Sequence, residues 1–120
     1  MSKKVLVVDD SPSELLNMKT ILGDAGCQVI TAANGKDAVD KARAEKPHLI
    51  FLDIVMPDMD GYEACRLLSS EPATQKIPVI FVTSKSQKAD LVWGQMQGAK
   101  GYVVKPYRAE HIIDQLKAMA

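Results

Sequence analysis

The sequence predicts a doubly wound α/β fold, with a five-stranded parallel sheet and five helices packed on its two faces. Three observations carry that reading. Short apolar runs recur along the 120-residue chain, helical patterns fill the intervals between them, and every run but the second lacks the alternation of a sheet with one wet face. β-branched runs without alternation suit strands buried on both sides, as in a parallel sheet covered by helices. Strict alternation of strand and helix, five times over, then implies right-handed crossovers.

The five runs are Val5-Leu6-Val7-Val8, Val29-Ile30, Leu49-Ile50-Phe51-Leu52, Val79-Ile80-Phe81-Val82 and Tyr102-Val103-Val104, the second being read as an edge strand. After the first, Ser11 reads as a helix N-cap, Pro12 as part of the first turn, and Glu14 as the residue completing a Ser-x-x-Glu capping box. Leu15, Met18, Leu22 and Ala25 mark the apolar face of this helix, and Gly26 closes it. Asn34 caps a second helix that buries Ala38, Val39 and Ala42 and stops before Pro47. A third helix runs from about Gly61 to Ser70. The fourth, about Ser86 to Gln97, puts Ala89, Val92, Trp93 and Met96 on one side and contains Gly94, which costs about 1 kcal/mol relative to Ala. The fifth ends near Met119 and buries Ile112, Ile113, Leu116 and Met119. With no linker, repeat or low-complexity stretch, residues 1–120 read as one domain.

Composition narrows the function. Fifteen Lys and Arg balance fifteen Asp and Glu, and 47% of residues are hydrophobic, enough for a core without metal or disulfide staples. No Lys/Arg run exceeds two residues, so neither a nucleic-acid footprint nor a polybasic membrane anchor is expected. The longest apolar run is four residues, far below the roughly 20 of a membrane helix. Met1-Ser2-Lys3-Lys4 is basic enough to open a signal peptide, but the run after it is too short and ends in two aspartates. Cys27 and Cys65 form no CxxC or Cys/His cluster and read as packed, reduced thiols of a cytoplasmic protein.

Ligands of such sheets bind outside the carboxyl ends of the strands. Those ends carry Asp9-Asp10, Asp53, Thr83 and Lys105-Pro106. Taken singly, each has an ordinary explanation as a turn, a cap or a strand terminator. If the order is 2-1-3-4-5, however, strands one and three are neighbours about 4.8 Å apart, and Asp9, Asp10 and Asp53 converge. Carboxylates about 4 Å apart repel by roughly 4 kcal/mol per pair at an effective dielectric of about 20. Protonation of one of them would relieve this, but a hard cation such as Mg²⁺ fits better. Strand five lies about 10 Å from strand three, a gap that a long Lys105 side chain spans. Three acids, a hydroxyl and an ammonium make a site for placing a phosphoryl group on oxygen, with Asp53 as nucleophile.

Asp9-Asp10, Asp53 followed by Met56-Pro57-Asp58-Met59-Asp60-Gly61, Thr83, Gly98-Ala99, Tyr102 and Lys105-Pro106 together resemble the response-regulator receiver family, typified by CheY. The resemblance spans the whole chain and implies the flavodoxin-like 2-1-3-4-5 order. It further implies that Asp53 accepts phosphate from a histidine kinase and that Asp10, Asp53 and the Val55 backbone carbonyl ligate Mg²⁺, with Asp9 acting through metal-bound water. Lys105 would pair with the phosphoryl oxygen, ahead of a cis bond to Pro106. Thr83 and Tyr102 would carry the switch to the face of helix four, strand five and helix five. Ser84, where Ala or Gly is frequent, and Arg108, where a capping Asp or Ser is common, depart from the family pattern. Lys85-Ser86-Gln87-Lys88-Ala89-Asp90, Trp93-Gly94 and Gln97-Gly98-Ala99 are similar to stand-alone receivers of the PilH type, from twitching chemosensory systems.

The implied function is that of a cytoplasmic single-domain response regulator, a signalling protein rather than an enzyme. It would take phosphate from a sensor histidine kinase or chemosensory kinase, then act on an output protein or drain phosphate, as a monomer or a weak phosphorylation-dependent dimer. No effector is expected after the fifth helix. A Mg²⁺-dependent phosphohydrolase with an aspartyl nucleophile is the alternative, but its lid or specificity insertion has no room in these loops. A nucleotide-binding module would need GxGxxG or GxxxxGK[ST], and the sequence has neither.

Overall fold

The computed structural model describes residues 3–119. Met1, Ser2 and Ala120, which belong to the basic start and to the 1–120 domain read from the sequence, lie outside the described residues. The elements alternate as β1 (Lys4–Val8), α1 (Pro12–Asp24), β2 (Gln28–Ala32), α2 (Gly35–Glu45), β3 (Leu49–Leu52), α3 (Gly61–Ser70), β4 (Val79–Thr83), α4 (Lys88–Met96), β5 (Gly101–Val104) and α5 (Ala109–Ala118). All strand pairs are parallel and the order is β2-β1-β3-β4-β5, as expected. No helix among the described residues is long and apolar enough to cross a membrane.

The missing alternation in the apolar runs has a direct cause. Val5 and Val7 face one layer with Leu49, Phe51, Ile80 and Val82, where Met18 and Leu22 of α1 and Ile112 of α5 cover them. Leu6 and Val8 face the other with Ile50, Leu52 and Phe81, under Ala38, Val39 and Ala42 of α2 and Ala64, Cys65 and Leu68 of α3. Both faces are dry, so both sets of side chains are apolar.

Three local readings need correction. Glu14 does not complete a capping box. Ser11 Oγ accepts the Glu14 N–H at 3.4 Å, but the Ser11 N–H goes to Asp9 Oδ1 at 2.9 Å, which leaves the Glu14 carboxylate free for another partner. Ala25 is the C-cap of α1 and is exposed rather than part of its apolar face, while Gly26 ends the helix at φ +87°. Helix α4 is shorter than read, and the side bearing Ala89, Val92, Trp93 and Met96 faces outward; Met96 is 68% exposed. Its inner contact is Gly94, where a Cβ would stand 3.0 Å from the Phe81 ring. The helix-propensity cost of that glycine is offset by the close approach it permits.

Candidate functional site

Parallel pairing aligns the carboxyl ends of the central strands. Val8 pairs with Leu52, and the Asp53 N–H bonds to the Val8 carbonyl at 3.0 Å, so Asp9 and Asp53 leave the sheet side by side. Carboxylate oxygens of Asp9, Asp10 and Asp53 lie within 4.8 Å of one another. Asp9 and Asp53 are buried and Asp10 is exposed. The donors are all hard oxygens, which fits Mg²⁺ and not the softer metals that seek sulfur or imidazole.

Lys105 reaches this cluster from the end of β5. Its Nζ is 2.7 Å from Asp9 Oδ2, 3.3 Å from Asp53 Oδ2 and 3.9 Å from Glu14 Oε2. Asp53 is the partner expected from spacing, yet Asp9 is nearer; each carboxylate gives Lys105 its Oδ2 and turns its Oδ1 to backbone N–H groups, Asp53 to Ile54 at 2.7 Å and Val55 at 3.4 Å, Asp9 to Ser11 at 2.9 Å. Burial works to lower the Lys105 pKa, but the Asp9 hydrogen bond and the charges of Asp53, Asp9 and Glu14 outweigh it and raise the value. The Lys105–Pro106 bond is cis.

Thr83 is fully buried and its Oγ1 accepts the Lys85 N–H at 3.4 Å. The Tyr102 hydroxyl donates to the Lys85 carbonyl at 2.7 Å, so one peptide segment joins the two expected switch residues. The Tyr102 ring packs edge-on to Phe81 at 6.0 Å between centroids. The Val55 side chain and Lys85 are exposed at the rim.

Sequence reasoning missed three participants. The Ser-x-x-Glu spacing disguises Glu14 as a cap residue. Tyr62 stands edge-on to Phe81 at 5.6 Å and to Trp93 at 6.3 Å, linking α3 to α4; its Asp-Gly-Tyr context was read only as the entry to a helix. Tyr107 accepts a hydrogen bond from Asn17 at 3.1 Å, tying the loop after β5 to α1, and no local pattern announces a pairing so distant in sequence.

The buried thiol and phenol predict alkaline lability. Burial pushes the Cys65 thiol from its ordinary value near 9 up to about 11, and burial likewise raises the Tyr102 phenol. With Lys105 also raised, these groups keep their protons in the folded state at a pH where the unfolded chain has lost them. Stability is therefore fully present below about pH 9 and falls as pH rises toward 11. Urea midpoints taken across that window should fall, and Cys65→Ala should fall less steeply than wild type. A flat profile would contradict these environments.

At the switch point of the doubly wound sheet the structure gathers an acid cluster faced by Lys105, and comparison with known families gives the class of protein. The profile described as "Response regulator receiver domain" matches residues 5–117, and the chain belongs to that family, whose members serve two-component and chemotaxis systems. Among individual proteins it is similar to Protein PilH of Pseudomonas aeruginosa, at 44% identity over 97% of this chain and 96% of that one. Among solved structures it is similar to the chemotaxis protein CheY4 of Vibrio cholerae, with TM-score 0.94 and 32% identity over 100% of both chains. The BeF3-activated DrrB receiver domain is also similar, with TM-score 0.87 and 32% identity over 99% of this chain and 97% of that one.

Proposed function

We propose that this chain is a phosphorylatable response regulator of a chemosensory or two-component pathway, with Asp53 as its phosphoacceptor. The observation that carries the reading is Asp53 itself: a buried carboxylate among two further acids, with the Lys105 ammonium 3.3 Å away. An Asp53 oxygen would attack phosphorus on a kinase phosphohistidine. The P–N bond breaks, and the imidazole nitrogen leaves and takes up a proton. Asp9, Asp10, Asp53 and the Val55 carbonyl would hold Mg²⁺, which when bound neutralises charge on phosphoryl oxygens. Lys105 stabilises the same charge from the other side, already in place before reaction. Thr83 turns toward the new phosphoryl group and releases the Lys85 N–H. Tyr102, bonded to the Lys85 carbonyl, follows and reshapes the α4–β5–α5 face for an output protein. The cytoplasm, where such kinases present phosphohistidine, is the place of action, as a monomer or a weak phosphorylation-dependent dimer.

Ligand-linked stability tests the site before any chemistry. Mg²⁺ at millimolar concentration should raise the melting temperature, because only the folded chain has the acid cluster assembled. Beryllofluoride, the activator named for the DrrB relative, should add a further rise. Asp10→Asn should weaken the Mg²⁺ response, since an anionic ligand is lost from a hard-cation site. A melting temperature indifferent to Mg²⁺ would count against the reading.

The lifetime of the aspartyl phosphate should be long. Its hydrolysis needs a water in line with phosphorus. Of the exposed rim residues, Val55 offers no side-chain hydrogen bond to hold that water, and the Lys85 ammonium has no acceptor for it. Val55→Asn combined with Lys85→Glu should therefore release phosphate several-fold faster at equal Mg²⁺. Equal release rates would remove these two residues from control of the lifetime.

A further inference from the structure

Glu14 holds a place that neither helix capping nor core packing requires. Asp9 has taken the N-cap amide that Glu14 would reach in a capping box. The Glu14 carboxylate instead turns to Lys105 at 3.9 Å, with its side chain 36% exposed where α1 begins. Lys105 thus faces three carboxylates, of which Glu14 is the one at the solvent side; Asp9 and Asp53 are buried.

Counting charge shows what this does. In the site as read above, Asp9, Asp10 and Asp53 are balanced by one ammonium and one divalent cation. Among the groups that meet at Lys105 and the acid cluster, Glu14 leaves one negative charge over, while the Lys85 ammonium is exposed to solvent at the rim. An incoming phosphodonor is itself an anion, so that surplus opposes its entry. A kinase that docks through contacts elsewhere on the surface can offset the repulsion with remote binding energy, which a small free donor lacks.

We propose that Glu14 is a specificity-determining residue, whose carboxylate beside Lys105 discriminates against small, highly charged phosphodonors in favour of a docked protein donor. The inference rests on Asp53 being the phosphoacceptor. Glu14 touches no reacting atom. It acts through Lys105 and through its field at the mouth of the site.

The test compares two donors of different charge at low ionic strength and saturating Mg²⁺. Acetyl phosphate is a dianion at neutral pH, whereas phosphoramidate, with a protonated nitrogen, is a monoanion. With either, an Asp53 oxygen bonds to phosphorus and the bond to the acetate oxygen or to nitrogen breaks, so the acceptor chemistry is shared. Glu14→Gln should speed labelling by acetyl phosphate about fivefold and by phosphoramidate about half as much on a logarithmic scale, since the field acts in proportion to donor charge. Glu14→Asp, which keeps the charge, should restore the wild-type preference. At about 1 M salt, where screening acts within roughly 3 Å, the gap should largely close.

A second readout moves the opposite way. The charge that repels the donor attracts the cation, so Glu14→Gln should bind Mg²⁺ more weakly in a titration without donor. General loosening of the site does not produce faster labelling and weaker Mg²⁺ binding together. Equal acceleration with both donors, unchanged acetyl phosphate labelling, or unchanged Mg²⁺ affinity would overturn the assignment of Glu14. Failure of the reading beneath it looks different: wild type would take no phosphate, or Asp53→Asn would label undiminished.

Discussion

Asp53→Asn is expected to abolish phosphate incorporation while leaving the protein folded and, without Mg²⁺, more resistant to heat. The amide is a poor nucleophile, and among the described residues no other carboxylate combines the burial of Asp53 with its two backbone N–H bonds and the facing ammonium. The rise in stability follows from the cluster. Carboxylates with oxygens within 4.8 Å of one another repel, by roughly 4 kcal/mol per pair at about 4 Å and an effective dielectric of about 20. Lys105 relieves only part of this, because its shortest contact is with Asp9. Neutralising one acid should raise the melting temperature of the Mg²⁺-free protein and shrink its response to Mg²⁺. Such a gain bought by removing the reactive group is the usual sign of a site whose geometry serves chemistry at the expense of stability. Intact mass after acetyl phosphate treatment, together with melting curves with and without Mg²⁺, would check both parts. Undiminished labelling of the variant would exclude Asp53 as acceptor.

Gly61→Ala is expected to cost about 3 kcal/mol or more and to impair phosphorylation as well. A Cβ at Gly61 would stand 2.2 Å from the Asp53 carbonyl oxygen, 2.7 Å from Ile54 Cα and 2.9 Å from the Asp53 carbonyl carbon. All three are backbone atoms, so no rotamer change gives room, and the cost lies at the upper end of that for overpacking. The Gly61 N–H also closes this loop onto the Ile54 carbonyl at 2.8 Å, so the displaced atoms are those that carry Asp53. Gly23, in α1 with nothing within 4 Å of its Cβ position, is the natural control: Gly23→Ala should stabilise by about 0.5–1 kcal/mol through helix propensity alone. Urea denaturation at constant m-value measures both. A Gly61→Ala variant within about 0.5 kcal/mol of wild type would mean that the loop shifts freely, contrary to this packing.

Residues were legible in the sequence where backbone pattern alone decides position. Asp9 and Asp53 were found because a parallel sheet brings the ends of its neighbouring strands together, and Lys105 because only a long cation crosses two strand spacings. What was misread depends on competition between side chains. Glu14 has a sound local motif, but the motif cannot show that Asp9, two residues before Ser11, offers a better acceptor to the same amide. Strand spacing likewise shows that Lys105 reaches the acids but not that its shortest contact is with Asp9 rather than Asp53. The outward turn of Trp93 and Met96 was hidden because apolar spacing identifies a face without saying whether it looks inward. Gly94 was the clue, since a glycine against Phe81 marks the side on which α4 approaches the sheet. Tyr62 and Trp93 meet across two helices, and no short-range pattern encodes that contact.

Chemical mapping of the modified residue tests directly whether Asp53 is the phosphoacceptor. The protein is incubated with acetyl phosphate with and without Mg²⁺, and any acyl phosphate is then reduced with borohydride, which converts an aspartyl phosphate to homoserine, before peptide mass analysis. A Mg²⁺-dependent gain of a single phosphate is expected, with homoserine at position 53 alone. Phosphate at another residue, or labelling at position 53 that proceeds equally well without Mg²⁺, would contradict it.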